Sequence, residues 1–335
     1  MKQVKIGLAG LGRIGQIHLQ NLVQRISGVE VIAVCDISPE TEAVAERYGV
    51  PHFYASFDSI LAHQDIEAVV ICSPTDSHFS HIHLAAKAGK HIFCEKPLEM
   101  SVAKIQEIES IIANHQVKLQ VGFNRRFDPS FARVKERILE GEIGDIHIIN
   151  ITSRDPGLPS LEYLKSSGGL FLDMTIHDFD MARFIAGSEV KEVYAQGSVR
   201  IDDSLIAIGD IDTAVVFLKF ENGTIATINN SRKSVYGYDQ RIEVFGNKGM
   251  VNIDNHLNDT HRFYDQWGAH SALNVNFFLE RYQEAYLLEM KAFIAALQSN
   301  HTMPVGAFDA LQATRIAVAA SRSMNENRPV EISAL

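Results

Sequence analysis

Residues 4–15 read Val-Lys-Ile-Gly-Leu-Ala-Gly-Leu-Gly-Arg-Ile-Gly, and this stretch decides the fold. Its first half is an apolar run typical of a buried strand, and its second half carries three closely spaced glycines. Such glycines permit a tight turn, close approach of the backbone to a pyrophosphate, and packing of the next helix on the strand. The N-terminus of that helix offers free N–H groups to an anion. The sequence therefore predicts a dinucleotide-binding turn formed by Gly10, Gly12, Arg13, Ile14 and Gly15.

Asp36 supports this prediction because it ends the second apolar run, 21 residues after Gly15. A carboxylate at this place accepts hydrogen bonds from the adenosine ribose hydroxyls. It would repel a 2′-phosphate, and Ile37 follows it instead of a compensating Arg, so NAD is favoured over NADP, although Arg13 could reach the same region. The alternative is a glycine-rich turn with a strand-end Asp and no ligand.

The first 120 or so residues alternate short apolar runs with amphipathic stretches. The runs cover 4–9, 31–35, 68–72, 91–94 and 118–122, and the stretches between them cover 14–25, 40–48, 77–88 and 102–114. Strands rich in Val and Ile that alternate with helices indicate a parallel sheet covered on both faces, and right-handed crossovers make it doubly wound. We predict an α/β Rossmann domain over residues 1–123.

The pattern changes after residue 123. Helices are predicted over 131–139, 170–185, 277–297 and 308–324, and strands over 146–153, 190–199, 213–220, 224–229, 241–245 and 250–253. Turn signals at 222–223 and 247–249 separate neighbouring strands, which indicates antiparallel hairpins. We predict an α+β domain over residues 124–335, built on a large, open, mostly antiparallel sheet.

Composition excludes several classes of protein. With 335 residues, 46% hydrophobic and 21% charged, the chain is not disordered and has room for about two domains. A net charge of −10 without a basic block argues against nucleic acid and anionic membrane surfaces. No apolar run approaches the ~20 residues of a membrane span, and the strand pattern at the N-terminus leaves no room for a signal peptide. Three cysteines without C-x-x-C spacing predict free thiols and a cytoplasmic location.

The loop after the fourth strand is expected to face the cofactor, because the carboxyl ends of parallel strands line the ligand crevice. We expect Ser73, Thr75 and His78 to bind there. His78, His81 and His83 could suggest a metal, but their spacing does not place them on one helical face and no acidic ligand joins them. We therefore expect exposed or capping histidines and no metal.

Two further stretches carry groups suited to catalysis. Glu95-Lys96-Pro97 follows the fifth strand and places an ammonium group at the edge of the sheet; an interdomain salt bridge is the alternative. Asp173 and His177 stand four apart in a predicted helix and so share a face. A carboxylate beside an imidazole can orient a general base, and a plain surface pair is the alternative.

Together these motifs resemble the Gfo/Idh/MocA family of nicotinamide-dependent oxidoreductases over essentially the whole chain. The longer stretches are similar to its inositol dehydrogenase subfamily: GFNRRFD at 122–128, SRDP at 153–156, DMTIHDFD at 173–180 and YGYDQR at 236–241. The resemblance implies NAD as cofactor and oxidation of myo-inositol at C2 to 2-keto-myo-inositol. It also implies a homotetramer whose second domain binds substrate and mediates assembly.

The resemblance further implies roles for individual residues. His177 accepts the hydroxyl proton, Lys96 stabilises the developing alkoxide, and Asp173 orients His177 and can bond a substrate hydroxyl. Glu95 and Lys96 are expected beside the cofactor. Further substrate contacts are expected from Asn124, Arg125, Asp155 and Tyr236, with structural pairing as the alternative for the Arg125–Arg126 pair.

Two other functions stay open at this stage. The first is a family member that acts on scyllo-inositol, chiro-inositol or an aldose such as glucose. The second is a regulator that binds dinucleotide without catalysis, which would not need to keep Lys96, Asp173 and His177.

Overall fold

The computed structural model describes residues 3–335, which form two compact units. The first unit holds the chain up to Phe127 together with the segment Glu284–Leu311. The second unit holds Asp128–Gln283 and Gln312–Leu335. None of the helices in residues 3–335 combines the length and apolar character needed to cross a membrane.

A six-stranded parallel sheet forms the centre of the first unit. Its strands are β1 (Val4–Ala9), β2 (Val29–Cys35), β3 (His52–Tyr54), β4 (Ala68–Ile71), β5 (His91–Cys94) and β6 (Leu119–Val121), in the order β3-β2-β1-β4-β5-β6. The order reverses between β1 and β4, and this is the place where doubly wound sheets bind ligands. The predicted Rossmann fold is thus confirmed. β3 was not predicted because it is a three-residue strand at the sheet edge without an apolar run.

Five helices connect these strands. They are α1 (Arg13–Gln20), α2 (Glu42–Arg47), α3 (Phe57–Leu61), α4 (Thr75–Lys87) and α5 (Val102–His115). A π-helical turn, Asn21–Arg25, continues α1, and a 3-10 turn, Pro39–Thr41, precedes α2. Another 3-10 turn, Asn124–Phe127, ends this part of the chain. Cys35, Cys72 and Cys94 are free thiols near the carboxyl ends of the strands.

The second unit is built on a seven-stranded sheet. Its strands are β7 (Ile146–Arg154), β8 (Val190–Ser198), β9 (Thr213–Phe220), β10 (Ile225–Ser231), β11 (Asp239–Gly246), β12 (Met250–Ile253) and β15 (Val330–Glu331), in the order β12-β11-β7-β10-β9-β8-β15. Within this sheet only β7 and β10 are paired in parallel, so the predicted mostly antiparallel sheet is confirmed. Between β12 and β15, β13 (Arg262–Asp265) and β14 (Gly268–Ser271) form a separate hairpin.

The helices of the second half of the chain are α6 (Pro129–Leu139), α7 (Leu161–Ser166), α8 (Gly169–Asp173), α9 (Ile176–Ala186), α10 (Phe278–Arg281), α11 (Gln283–Gln298) and α12 (Ala307–Glu326). Short 3-10 turns cover Asp203–Ile208 and Ile332–Ala334. The single helix predicted over 277–297 is divided into α10 and α11.

The single helix predicted over 170–185 is also wrong, because α8 ends at Asp173 and α9 begins at Ile176. Gly168 and Gly169 both have positive φ angles, of 84° and 81°, at the start of α8. The Thr175 N–H donates to the carbonyl of Leu170, five residues back, and the Thr175 hydroxyl donates to Asn230. This side-chain bond holds the break between the two helices.

Helix α11 explains why a C-terminal segment belongs to the first unit. Met290, Phe293 and Ile294 pack in the same buried cluster as residues of β1 and as Phe93. The structural units therefore differ from the predicted division at residue 123, since 284–311 join the first unit and the first unit extends to Phe127. Periodicity along the chain cannot reveal which of two cores a late helix covers.

A buried ion pair fixes the start of the second unit. Asp128 caps α6 by accepting the N–H groups of Ser130 and Phe131, and it also accepts from Arg281 Nη1 at 2.5 Å. Asp128 and Arg281 are 2% and 5% exposed. A buried guanidinium that loses its carboxylate stays desolvated without compensation.

We expect Asp128→Asn to lower the free energy of unfolding by about 3 kcal/mol for this reason. Adding Arg281→Met should recover part of the loss, because the uncompensated charge is gone, and urea denaturation measures both. Arg133→Met is the control, since Arg133 pairs with Glu136 at the surface and should cost less than about 0.5 kcal/mol. Strictly additive effects of Asp128→Asn and Arg281→Met would contradict the pairing.

Candidate active site

The glycine turn has the shape that a pyrophosphate requires. Gly10 has φ +91°, and a Cβ there would lie 2.6 Å from the carbonyl carbon of Cys72. A Cβ at Gly15 would lie 1.8 Å from the carbonyl oxygen of Gly10, so only glycine lets α1 pack on β1. A Cβ at Gly12 would meet no atom within 4 Å. The first and third glycines are thus needed for packing, whereas the second borders the open space in which a phosphate fits.

The start of α1 suits an anion. Gly12 is its N-cap and supplies no side-chain cap, and the first turn contains no acidic residue. Unsatisfied N–H groups and the helix dipole favour a negative group at such an end. Arg13 and Ile14 form the first turn of this helix, which begins one residue before the predicted stretch 14–25. Their contact with the cofactor stays a prediction.

Asp36 lies beside the same turn. Its Oδ2 accepts the N–H of Leu11 at 2.6 Å and its Oδ1 accepts the N–H of Ser38 at 2.8 Å. Each carboxylate oxygen keeps a further lone pair, so the side chain can hold the turn and still accept from ribose hydroxyls. The structural and the ribose-binding interpretations of Asp36 are therefore compatible.

The loop after β4 is held by its own side chains. The Ser73 hydroxyl contacts Ser77 Oγ at 2.6 Å and His81 Nδ1 at 3.1 Å, and Thr75 begins α4. His78 is 1% exposed, and its two ring nitrogens lie 2.9 and 3.0 Å from the carbonyls of Ser73 and Pro97. Burial lowers the pKa of His78, so the neutral ring donates to only one carbonyl.

These contacts give His78 a structural function, because it links the loops after β4 and β5. The expectation that it is exposed or caps a helix is wrong, since its ring is buried within the unit. Its predicted contact with the cofactor stays a prediction. His81 is half-buried and His83 is exposed, so the three rings do not share one environment.

The loop after β5 carries Glu95, Lys96 and Pro97. Glu95 is buried and its Oε2 accepts the backbone N–H of Lys96 at 3.2 Å. Lys96 is half-buried, and the peptide bond between Lys96 and Pro97 is cis. The backbone at Lys96 is held by the hydrogen bond to the Glu95 side chain and by the contact of His78 with the Pro97 carbonyl.

In the second unit, the buried carboxylate of Asp173 accepts hydrogen bonds from Tyr163 and Arg232. Asp173 is 8% exposed; its Oδ1 accepts from the Tyr163 hydroxyl at 2.7 Å and its Oδ2 from Arg232 Nη1 at 3.0 Å. Burial and the charge of Asp173 raise the pKa of Tyr163, so the phenol stays protonated and donates. Arg232 is 1% exposed, and its Nε and Nη2 atoms are buried without a hydrogen-bond partner in the described part of the chain.

Tyr163 and Arg232 were not predicted as functional residues. Arg232 directly follows β10, and a charged residue at the end of a strand was the signal that could have found it. Tyr163 lies in the short helix α7, where the sequence offers no comparable signal.

His177 lies in the first turn of α9 and is half-buried. The predicted shared helix face of Asp173 and His177 is therefore wrong, because the break after Asp173 places them in different helices. The break is held by Asn230, which accepts from Thr175 at 2.9 Å and donates to Asp178 at 2.8 Å.

The other predicted substrate residues lie in three places. Asn124 and Arg125 are 1% and 5% exposed in the 3-10 turn Asn124–Phe127, and none of the described residues forms a hydrogen bond with Asn124 Nδ2. Asp155 follows β7 and donates its N–H to the carbonyl of Ser231. Tyr236 is 39% exposed, accepts from Arg154 at 2.8 Å and donates to Asp239 at 2.7 Å. The hydrogen bonds of Tyr236 thus run to a charged network on the sheet of the second unit.

Two family models match the chain. Residues 4–123 match the oxidoreductase family with an NAD-binding Rossmann fold, and residues 131–252 match the GFO/IDH/MocA C-terminal domain. The protein is an oxidoreductase of the Gfo/Idh/MocA family, and NAD is its cofactor. The glycine turn described above fits this dinucleotide, because its second glycine borders open space.

Several inositol dehydrogenases are similar to this chain over nearly its whole length. A myo-inositol 2-dehydrogenase of Thermotoga maritima is 44% identical over 98% of each chain. An inositol 2-dehydrogenase of Rhizobium meliloti is 43% identical over 98% of this chain and 99% of its own. Among solved structures, a scyllo-inositol dehydrogenase from Lactobacillus casei with bound NAD(H) and scyllo-inositol gives a TM-score of 0.93 at 34% identity, covering 99% of this chain and 100% of that one.

The contrast between two glycines gives a test of the dinucleotide turn. Gly12→Ala should raise the Kd for NADH at least about tenfold while leaving thermal stability unchanged, because its methyl group enters only the open space. Gly15→Ala should lower the free energy of unfolding by about 1–3 kcal/mol even without dinucleotide, because its methyl group meets a carbonyl oxygen. Fluorescence titration and thermal denaturation separate the two effects, and normal NADH affinity in Gly12→Ala would exclude this turn as the phosphate site.

Proposed function

We propose that this protein oxidises myo-inositol at C2 to 2-keto-myo-inositol (scyllo-inosose) with NAD as acceptor. The observation that carries the proposal is 44% identity, over 98% of both chains, to a relative named myo-inositol 2-dehydrogenase. The buried Asp173 with its two donors supports it, because a polyol site needs fixed hydrogen-bonding groups.

The acid–base chemistry is assigned to Lys96 and His177. An imidazole nitrogen of His177 accepts the proton of the C2 hydroxyl as general base. The ammonium group of Lys96 donates a hydrogen bond to the same oxygen as negative charge develops on it. NAD held at the glycine turn of Gly10, Gly12 and Gly15 would supply the hydride acceptor for C2. Glu95 fixes the Lys96 backbone through the hydrogen bond described above.

Asp173 is proposed to orient His177 and to accept from a substrate hydroxyl. Tyr163 and Arg232 hold its two oxygens, so the carboxylate cannot rotate freely. Arg232 also balances the negative charge in a buried setting, where an unpaired carboxylate would be costly. Both residues are positioning residues in this proposal.

Recognition of an uncharged ring with hydroxyls all round it requires several donors and acceptors. Within residues 3–335, Arg232 Nε and Nη2 in the second unit and Asn124 Nδ2 in the first unit are buried without a hydrogen-bond partner, which supports the proposal that each residue donates to a hydroxyl oxygen. Arg125, Asp155 and Tyr236 are proposed to contribute further contacts. A site that bonds each hydroxyl rejects analogues strongly, because the wrong epimer leaves buried partners unpaired.

Scyllo-inositol is the second candidate substrate. The scyllo-inositol dehydrogenase from Lactobacillus casei has the same fold at 34% identity, which is lower than the 44% of the relative that acts on myo-inositol by name. Chiro-inositol and aldoses such as glucose are other members of the same class of substrate. The presence of Lys96, Asp173 and His177 favours an enzyme over a dinucleotide-binding regulator.

We also propose a cytoplasmic homotetramer. Ile148, Val215, Phe217, Ile225 and Phe245 are all 39–49% exposed. They share one face of the sheet, since Ile148 pairs in register with both Ile225 and Phe245. Contact with another copy would remove this apolar surface from water.

A substrate panel tests the proposed function. NADH formation is followed by absorbance with myo-inositol, scyllo-inositol, chiro-inositol and glucose at matched concentrations, with and without a chelator. We expect the highest kcat/KM with myo-inositol and no effect of the chelator. A higher kcat/KM with glucose would refute the assignment, and a chelator-dependent loss would show a metal requirement.

Single substitutions test the assigned roles. Lys96→Ala and His177→Ala should each lower kcat about a hundredfold or more, because each removes a group that acts on the reacting oxygen. The Kd for NADH should change less than about threefold. His83→Ala is the control because this histidine is exposed on α4. Wild-type turnover in either variant would remove that residue from the mechanism.

A further inference from the structure

Three ionisable side chains meet inside the first unit, away from solvent. His18 on α1 is 0% exposed, Glu95 at the end of β5 is 8% exposed, and Glu289 on α11 is 0% exposed. One polar atom from each lies within 4.8 Å of the others. We call these three residues the buried relay. Apolar side chains would fill this space at lower cost, because burying ionisable groups carries a desolvation penalty.

Glu95 is the centre of the buried relay. His18 Nε2 lies 2.7 Å from Glu95 Oε1, and Nε2 donates because a carboxylate oxygen can only accept. The other oxygen, Oε2, accepts the N–H of Lys96. A Cβ at Gly122 would lie 2.9 Å from this oxygen, so the carboxylate packs directly on the backbone there. Its position is therefore fixed from the side of α1 and from the side of β6.

Glu289 controls the charge of the buried relay. Its two oxygens have no hydrogen-bond partner among residues 3–335, and Oε1 lies 3.9 Å from His18 Nε2. Burial, followed by the negative charge of Glu95, raises the pKa of Glu289 well above its usual range and so favours its protonated form. The other titratable groups that face it are His18 and the Cys72 thiol, whose pKa burial also raises.

We propose that His18 is a positioning residue that holds the Glu95 carboxylate against the Lys96 amide and so connects the dinucleotide helix α1 with the loop that carries Lys96. His18 lies five residues after Arg13 in the helix that begins at the glycine turn. A displacement of α1 would therefore move Glu95, which directly precedes Lys96. The catalytic consequence rests on the function proposed above for Lys96.

The geometry favours a proton over a metal ion within the buried relay. A separation of 2.7 Å between Nε2 and Oε1 is that of a charge-assisted hydrogen bond. Glu289 Oε1 is too far from Nε2 to share that hydrogen. Glu95 contacts the His18 ring through Oε1 and accepts the Lys96 N–H through Oε2.

Substitutions at His18 test the positioning role. His18→Leu should lower kcat with the polyol at least about tenfold and change the Kd for NADH less than about threefold. His18→Gln places an amide donor near the former Nε2 and should recover most of the lost kcat. Leu19→Val is the matched control, because Leu19 is equally buried on α1 and does not belong to the buried relay. Wild-type kcat in His18→Leu, equal losses in the Leu and Gln variants, or the same loss in Leu19→Val would each overturn the proposal.

A second test needs no substrate and so stays valid if the proposed function fails. A buried acid whose native pKa exceeds its unfolded value of about 4.5 stabilises the fold less as pH rises above that value. The melting temperature of Glu289→Gln, measured relative to wild type, should therefore increase between pH 5 and pH 8, by roughly 2 °C per pH unit. A difference independent of pH would overturn the protonated state of Glu289. If the purified protein contains stoichiometric Zn²⁺ or Mn²⁺ that is lost in His18→Leu, a metal ion and not a hydrogen-bonded proton joins these side chains, and the proposal is wrong.

Discussion

The close approach of Gly15 to the carbonyl of Gly10 is the constraint on which the first unit depends. Because no side-chain carbon fits between them, α1 starts directly against β1 and its N-terminus opens beside Gly12. The same placement carries His18 into the interior, where it meets Glu95. One steric condition thus creates both the anion-binding helix end and the contact that reaches the lysine loop.

Sequence reasoning succeeded where periodicity and local structure agree. The five apolar runs of the first domain are strands, and the two turn signals of the second join antiparallel neighbours, because burial on a sheet imposes a pattern that neighbouring residues share. It failed at the break between α8 and α9, which depends on a bond from Thr175 to Asn230, 55 residues further along the chain. The contacts of Arg232 and Tyr163 with Asp173 were not predicted for the same reason, because only the fold brings these residues together.

Both units bury charge close to the residues assigned to catalysis. In the second unit the carboxylate of Asp173 is matched by a guanidinium, whereas in the first unit burial and the charge of Glu95 raise the pKa of Glu289 and so favour its neutral form. Each solution fixes the direction of one carboxylate at a cost in desolvation. Native proteins keep such costly groups where orientation is needed for function.

The return of α11 to the first unit affects the order in which the protein acquires its structure. Met290, Phe293 and Ile294 complete a core whose other members lie in the first 93 residues. A ribosome that has synthesised the entire parallel sheet has not yet made the helix that covers it. During translation the nucleotide-binding half can therefore complete its core only after α11 has emerged from the ribosome.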